Sequence, residues 1–230
     1  MALLLSILTS INFIPISSIV IRRKDLLPRK ERERELRKSL IIEAAREVFS
    51  EKGYKGTTID DVAERAGLAK ATLYTIFKNK EELYKSVLEA VFREINEIAE
   101  KAMQEKLPIR EKFGLFVNRL INHFREHADF FRILMREIGK MNLDNWHGTP
   151  HAMIHEKLNK ILAKELDRGR KEKEIRSIDT LRAAQIFNHM VYAYHMNDLF
   201  HEQDEKKKSD AVDFLVTVFF DGIATKRKTR

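Results

Sequence analysis

The side chains with most to say about chemistry lie between residues 57 and 80. Thr57, Thr58, Lys70, Ala71, Thr72, Tyr74, Thr75 and Lys80 fall in that stretch. Hydroxyl and ammonium groups suit hydrogen bonds to phosphate oxygens and base edges. Lys70 suits a guanine acceptor or a phosphate, and Thr72 or Ala71 suits a thymine methyl. Tyr74 either holds a phosphate through its hydroxyl or packs against the first helix.

Other chemistry is thinly represented. His123 and His127 stand four apart, as do His151 and His155, a spacing that lets two imidazoles on one helical face share a metal. No third ligand can be picked out in the sequence, so no metal site and no cofactor is assigned. Polar lining of a pocket and ordinary exposed or core histidine stay open as readings. The 230 residues contain no cysteine, which excludes disulfides, thiol catalysis and thiolate zinc sites. Neither GxGxxG nor GxxxxGK[ST] occurs, and no nucleophile stands with a recognisable base, so an enzyme is not expected.

These residues must be positioned by helices. The chain has 8 glycines and 4 prolines, where average usage would supply roughly 16 and 11, so turns are few and elements long. The net charge of +8 is uneven: none in residues 1–21, +6 in 22–80, −2 in 81–225 and +4 in 226–230. A basic head and a basic tail flank a nearly neutral body, a pattern that suits a nucleic-acid module joined to a second function. A merely solvated basic face is the plain alternative.

Apolar residues at 36, 40, 41, 44, 45, 48 and 49 mark a first helix that Gly53 ends, with Gly56 in the loop beyond. Thr58 with Asp61 reads as a capping box opening a second helix, which Gly67 stops. A third runs from about Ala69 to Phe77 with Leu73 and Phe77 inward, and Asn79 caps a long fourth. Two short helices joined at a glycine behind a supporting helix form a helix-turn-helix, whose second helix can enter the major groove. The charged run Pro28–Glu35 extends the first helix or, second in rank, forms a basic arm along DNA.

Leu40-Ile41-Ile42-Glu43-Ala44-Ala45-Arg46-Glu47-Val48-Phe49 through Gly53-Tyr54, then Thr57-Thr58-Ile59-Asp60-Asp61-Val62-Ala63, Ala66-Gly67-Leu68-Ala69-Lys70-Ala71-Thr72-Leu73-Tyr74 and Phe77-Lys78-Asn79-Lys80-Glu81-Glu82-Leu83 closely resemble the DNA-binding domain of the TetR family of transcriptional regulators. The resemblance implies phosphate contacts by Thr58 and Lys80, which open helices two and four. Thr57 is included beside Thr58. Ala69 stands where the family commonly has a capping serine, and Ile76 where it has His or Tyr.

The rest reads as further helices, about nine in all: the fourth to about Glu105, then Ile109–His127, Asp129–Met141, Thr149–Gly169, Asp179–Phe200 and Asp210–Ala224, with a loop at Asn142–Gly148. The expected fold is all-α, an N-terminal three-helix helix-turn-helix domain (28–83) followed by a larger bundle (84–225) and a basic tail (226–230). In the TetR family such a bundle pairs with a second copy and encloses a small molecule. The resemblance therefore implies a homodimer, for which Leu181, Ala184, Phe187, Val191, Val212, Leu215, Val218 and Phe219 are candidates; such stripes also suit plain core. It also implies a small apolar or aromatic effector. The pocket candidates are Phe113, Phe116, His123, Phe124, Phe131, Met135, Trp146, His151, His155 and Tyr192, all of them equally ordinary core types.

Residues 2–21 are uncharged and long enough to span a bilayer, but Pro15 and six Ser, Thr or Asn residues weaken that reading. An over-extended start, a membrane anchor and an extra packed segment are the alternatives for the extension 1–27. The functional expectation is a cytoplasmic repressor that binds palindromic double-stranded DNA and is released by its ligand. The alternative is a DNA-binding structural or division-linked protein without an effector.

Overall fold

The computed structural model describes residues 28–138, 150–200 and 205–222. Within them the chain forms nine helices and no strand: α1 (Arg29–Gly56), α2 (Ile59–Ala66), α3 (Lys70–Tyr74), α4 (Lys80–Gln104), α5 (Ile109–Glu126), α6 (Ala128–Ile138), α7 (Pro150–Lys171), α8 (Thr180–Phe200) and α9 (Glu205–Asp221). The hydrophobic N-terminus, the Asn142–Gly148 loop and the basic tail lie outside the described residues. No helix among the described residues is long and apolar enough to cross a membrane.

Two compact units are present, one up to Leu40 and one from Ile41 onward. In the first, Pro28–Glu35 continues the helix, held by pairs such as Arg29 Nε to Glu33 Oε1 at 3.0 Å. The helical reading of that run is the one realised. Leu36 and Leu40, part of the apolar stripe of the first helix, are exposed; their spacing fits a helix, but periodicity alone does not say what covers a face.

In the second unit, Ile41, Ala45, Val48 and Phe49 of α1 join Val62, Leu73, Phe77, Leu83 and Val87 in one core. Gly53 has φ 69° and kinks α1 there, a left-handed conformation that glycine adopts without Cβ strain. The bundle core is built on Phe113, Phe116, Leu162, Leu166 and Phe187, each fully buried. Here α4 packs on α5 and α7, α7 on α8, and α5 on α9. Gly169 allows the close approach of α5 to α7, since a Cβ there would meet Ile109 Cδ1 at 2.6 Å. Lys112, the one buried lysine among the described residues, donates to Glu165 Oε1 and to the Met103 carbonyl, both at 2.8 Å. Buried cations need such partners.

Helix α9 begins five residues before the expected Asp210. Glu205-Lys206-Lys207-Lys208 has good helix formers but no apolar stripe to signal them. Helix α3 is shorter than expected: past Tyr74 the chain tightens into turns, with Ile76 N–H donating to the Leu73 carbonyl at 3.0 Å.

Candidate nucleic-acid interface

The helix-turn-helix is held by local bonds. Thr58 Oγ1 accepts from the Asp61 N–H at 3.1 Å, and Asp61 Oδ2 accepts from the Thr58 N–H at 2.8 Å, completing the capping box of α2. Lys52 Nζ reaches Asp61 Oδ1 at 2.6 Å. The hydrogen bonds from Lys52 and Thr58 hold the Asp61 carboxyl below the usual carboxylate range. Gly67 ends α2 at φ 64° and turns the chain into α3.

Ala69 precedes α3 without a side-chain cap. Helix α3 turns Leu73 inward, with Phe77 beyond it, and leaves Lys70, Ala71, Tyr74 and Thr75 exposed, with Thr72 half-buried at the edge. Positions 70, 71, 74 and 75 share one side of a helical turn, so the outward surface is short, polar and continuous. Lys70 Nζ pairs with Asp60 at 2.8 Å, which raises the lysine pKa. That pair must open before Lys70 can meet another acceptor. Tyr74 is 49% exposed, whereas Tyr54, near the end of the first helix, packs on Phe49 and Tyr84.

Two candidates differ from expectation. Thr57 is 1% exposed, with Oγ1 donating to the Gly53 carbonyl at 2.8 Å, so its hydroxyl secures the α1–α2 connection and is not available to a ligand. Lys80 is half-buried. Its Nζ donates to the carbonyls of Tyr54 and Thr57, each at 2.8 Å, and lies 4.6 Å from the Tyr54 ring centroid. Two of its three N–H groups therefore tie the start of α4 to the end of α1.

The family described as bacterial regulatory proteins, tetR family, matches residues 41–87. Over 107 residues the chain is 38% identical to the helix-turn-helix transcriptional regulator YhgD of Bacillus subtilis, covering 46% of this chain and 56% of that one. Residues 41–87 therefore carry the helix-turn-helix segment of the TetR family of regulators. The fatty acid metabolism regulator protein of Bacillus subtilis is 29% identical over 122 residues, 53% of this chain and 58% of that one. The chain thus spans little more than half the length of these curated relatives. The crystal structure of the transcriptional regulator FadR from Bacillus subtilis in complex with stearoyl-CoA superposes with a TM-score of 0.65 at 25% identity, covering 81% of this chain and 99% of that chain.

In the bundle the pocket candidates are only partly brought together. Phe113, Phe116, Phe124 and Phe131 are buried against other rings: Phe113 meets Phe187 at 4.9 Å and Phe124 meets Phe131 at 4.1 Å between centroids. His123 lies near Phe131, and Tyr192 is half-buried. The side chains of Met135, Trp146, His151 and His155 lie outside the described residues. A hollow of about 900 Å³ opens instead among Ile109, Ile175, Ile186, Met190 and Phe219, and none of the pocket candidates lines it.

The dimer candidates divide by their burial within the single chain. Ala184, Phe187, Val191 and Leu215 are buried within the single chain, and Val212, Val218 and Phe219 are half-buried. Only Leu181 stays exposed, beside two residues that sequence reasoning passed over, Ile186 and Phe214. An apolar stripe cannot distinguish a neighbour in the same chain from a second copy. The reading also missed Arg46, which donates from Nη2 to Glu94 Oε1 at 2.6 Å and links α1 to α4. The partners stand 48 residues apart, so no local signal announced them.

Proposed function

We propose that this protein is a cytoplasmic, homodimeric transcriptional repressor that binds a palindromic operator and releases it when an apolar small molecule occupies the bundle. The observation that carries the reading is the exposed surface of α3, Lys70, Ala71, Tyr74 and Thr75, set by the Gly67 turn behind a capped α2. A helix so placed can present its N-terminal residues to base edges in the major groove. A two-fold pair reads two half-sites about one helical turn or a multiple apart. Exposed Leu181, Ile186 and Phe214 on α8 and α9 favour those helices as the pairing surface.

For release, α4 is the connecting element. It begins at Lys80 beside the helix-turn-helix and runs into the bundle, packed on α5 and α7. A ligand preferring a tilt of α4 unsuited to DNA weakens operator binding by the factor by which DNA weakens ligand binding. The stearoyl-CoA in the FadR complex makes a long acyl thioester the first effector to try. The test is footprinting of the full chain on its own genomic neighbourhood, then fluorescence anisotropy on the protected duplex with and without stearoyl-CoA and a panel of apolar compounds. We expect a two-fold symmetric footprint, a ligand-dependent loss of affinity, and a changed preference at one base pair in Thr72→Ala. No footprint anywhere would overturn the DNA reading. Equal affinity with and without a bound ligand would overturn the release mechanism.

A further inference from the structure

Three polar side chains meet where α4 and the end of α5 approach α1, and the DNA reading uses none of them. His123 comes from α5 and His127 from the residue that ends it, with ring centroids 5.0 Å apart, and Glu94 comes from α4. One ligand atom from each lies within 4.8 Å of the others. Glu94 Oε1 is occupied by Arg46, but Glu94 Oε2 and His123 Nε2 are both buried without a hydrogen-bond partner among the described residues. They face each other at 3.6 Å.

That separation is too long for an N–H···O hydrogen bond, and two unmet polar atoms in one place demand an explanation. Zinc held at about 2.0–2.1 Å by a nitrogen and an oxygen in tetrahedral geometry places the two donors about 3.3–3.4 Å apart. A single ion between them satisfies both atoms with a shift of a few tenths of an ångström, and His127, with a ligand atom within 4.8 Å, supplies a third donor. Arg46 orients the carboxylate through its other oxygen, as outer partners of metal ligands commonly do. A groove of about 350 Å³ that reaches His127 and Arg46 gives an entry path and room for a water ligand.

We propose that Glu94, His123 and His127 bind one divalent cation of the zinc class, with water from the groove completing the shell. Two imidazoles and one carboxylate suit zinc, cobalt or nickel better than magnesium, which prefers an all-oxygen octahedron. The ion clamps α4 to α5 and, through Arg46, fastens α1 to both. The site stands independently of the DNA reading.

The test is calorimetric titration of Zn²⁺ into metal-free full-length protein, with Mg²⁺ as control and Co²⁺ as a spectroscopic probe. We expect one Zn²⁺ per chain, no Mg²⁺ uptake at the same concentrations, and the intense visible band of low-coordinate Co²⁺. His127→Gln and Glu94→Gln should each weaken Zn²⁺ binding at least tenfold, while the double variant His151→Gln/His155→Gln leaves it unchanged. His127 is only half-buried, so His127→Gln keeps the test valid if Glu94→Gln fails to fold. Absence of Zn²⁺ binding by the parent protein overturns the proposal and leaves a direct Glu94–His123 contact. Undiminished binding by His127→Gln, or loss confined to the His151/His155 variant, overturns it equally.

Discussion

Lys80 tests whether one residue both builds the DNA-binding head and touches DNA. Replacing it by methionine keeps an apolar stem over Tyr54 but removes the ammonium. The two bonds to the Tyr54 and Thr57 carbonyls are lost, each 2.8 Å, with the contact 4.6 Å from the Tyr54 ring. Hydrogen bonds from a charged donor contribute about 1.5–3 kcal/mol each when water is kept out, and an exposed cation–π contact about 0.5–1 kcal/mol. Lys80 is only half-buried, so water can take over part of the work, and a total of roughly 2 kcal/mol is the reasoned loss. With a urea m-value of about 2 kcal/mol/M this moves the unfolding midpoint by roughly 1 M at fixed protein concentration. The third N–H remains for a phosphate, so the slope of log K against log salt on operator DNA should flatten by about 0.9. Lys78→Met, an exposed neighbour, is the control and should stay within about 0.5 kcal/mol in stability. A Lys80→Met protein as stable as its parent would refute the inward bonds. An unchanged salt slope would remove the phosphate role.

Two further outcomes follow from the backbone and from a buried histidine. Gly67→Ala should cost about 1 kcal/mol, because φ is 64° while nothing lies within 4 Å of the added Cβ; Gly67→Asn should cost less, and equal thermal midpoints for glycine and alanine would defeat the argument. His195 is buried beside Phe124, and burial, with the charge of Arg125, lowers its pKa to about 3. The unfolded histidine takes up a proton below about pH 6.5 while the folded one does not, so folding loses stability as pH falls through that value, by roughly 2 kcal/mol between pH 7.5 and pH 5. His195→Phe should remove that part of the pH dependence in urea titrations at the two pH values, and identical dependence in both proteins would contradict it.

Local signals in the sequence carried the helix-turn-helix. Thr58 with Asp61, Gly53, Gly67 and Asn79 act on backbone groups within a few residues, so their effect is legible wherever they occur. The order of the nine described helices followed from the same punctuation, apart from the polar start of α9. What packing decides was hidden. Thr57 and Thr58 are adjacent and chemically identical, yet one hydroxyl is buried on the Gly53 carbonyl and the other caps α2 on the surface. The dimer stripe was ambiguous for a related reason: burial by a helix of the same chain and burial by a second copy leave the same apolar period.

The sequence by itself determined an all-α chain with a TetR-type helix-turn-helix and the residues that α3 turns outward, because helix period and capping are properties of short stretches. Only the tertiary structure decided that Lys80 points two donors inward, that Ala184 and Phe187 belong to the core, and that Glu94 stands before His123 and His127. Those are meetings of residues far apart in the chain. They depend on how helices cross, and helix crossing is set by the fit of many side chains at once.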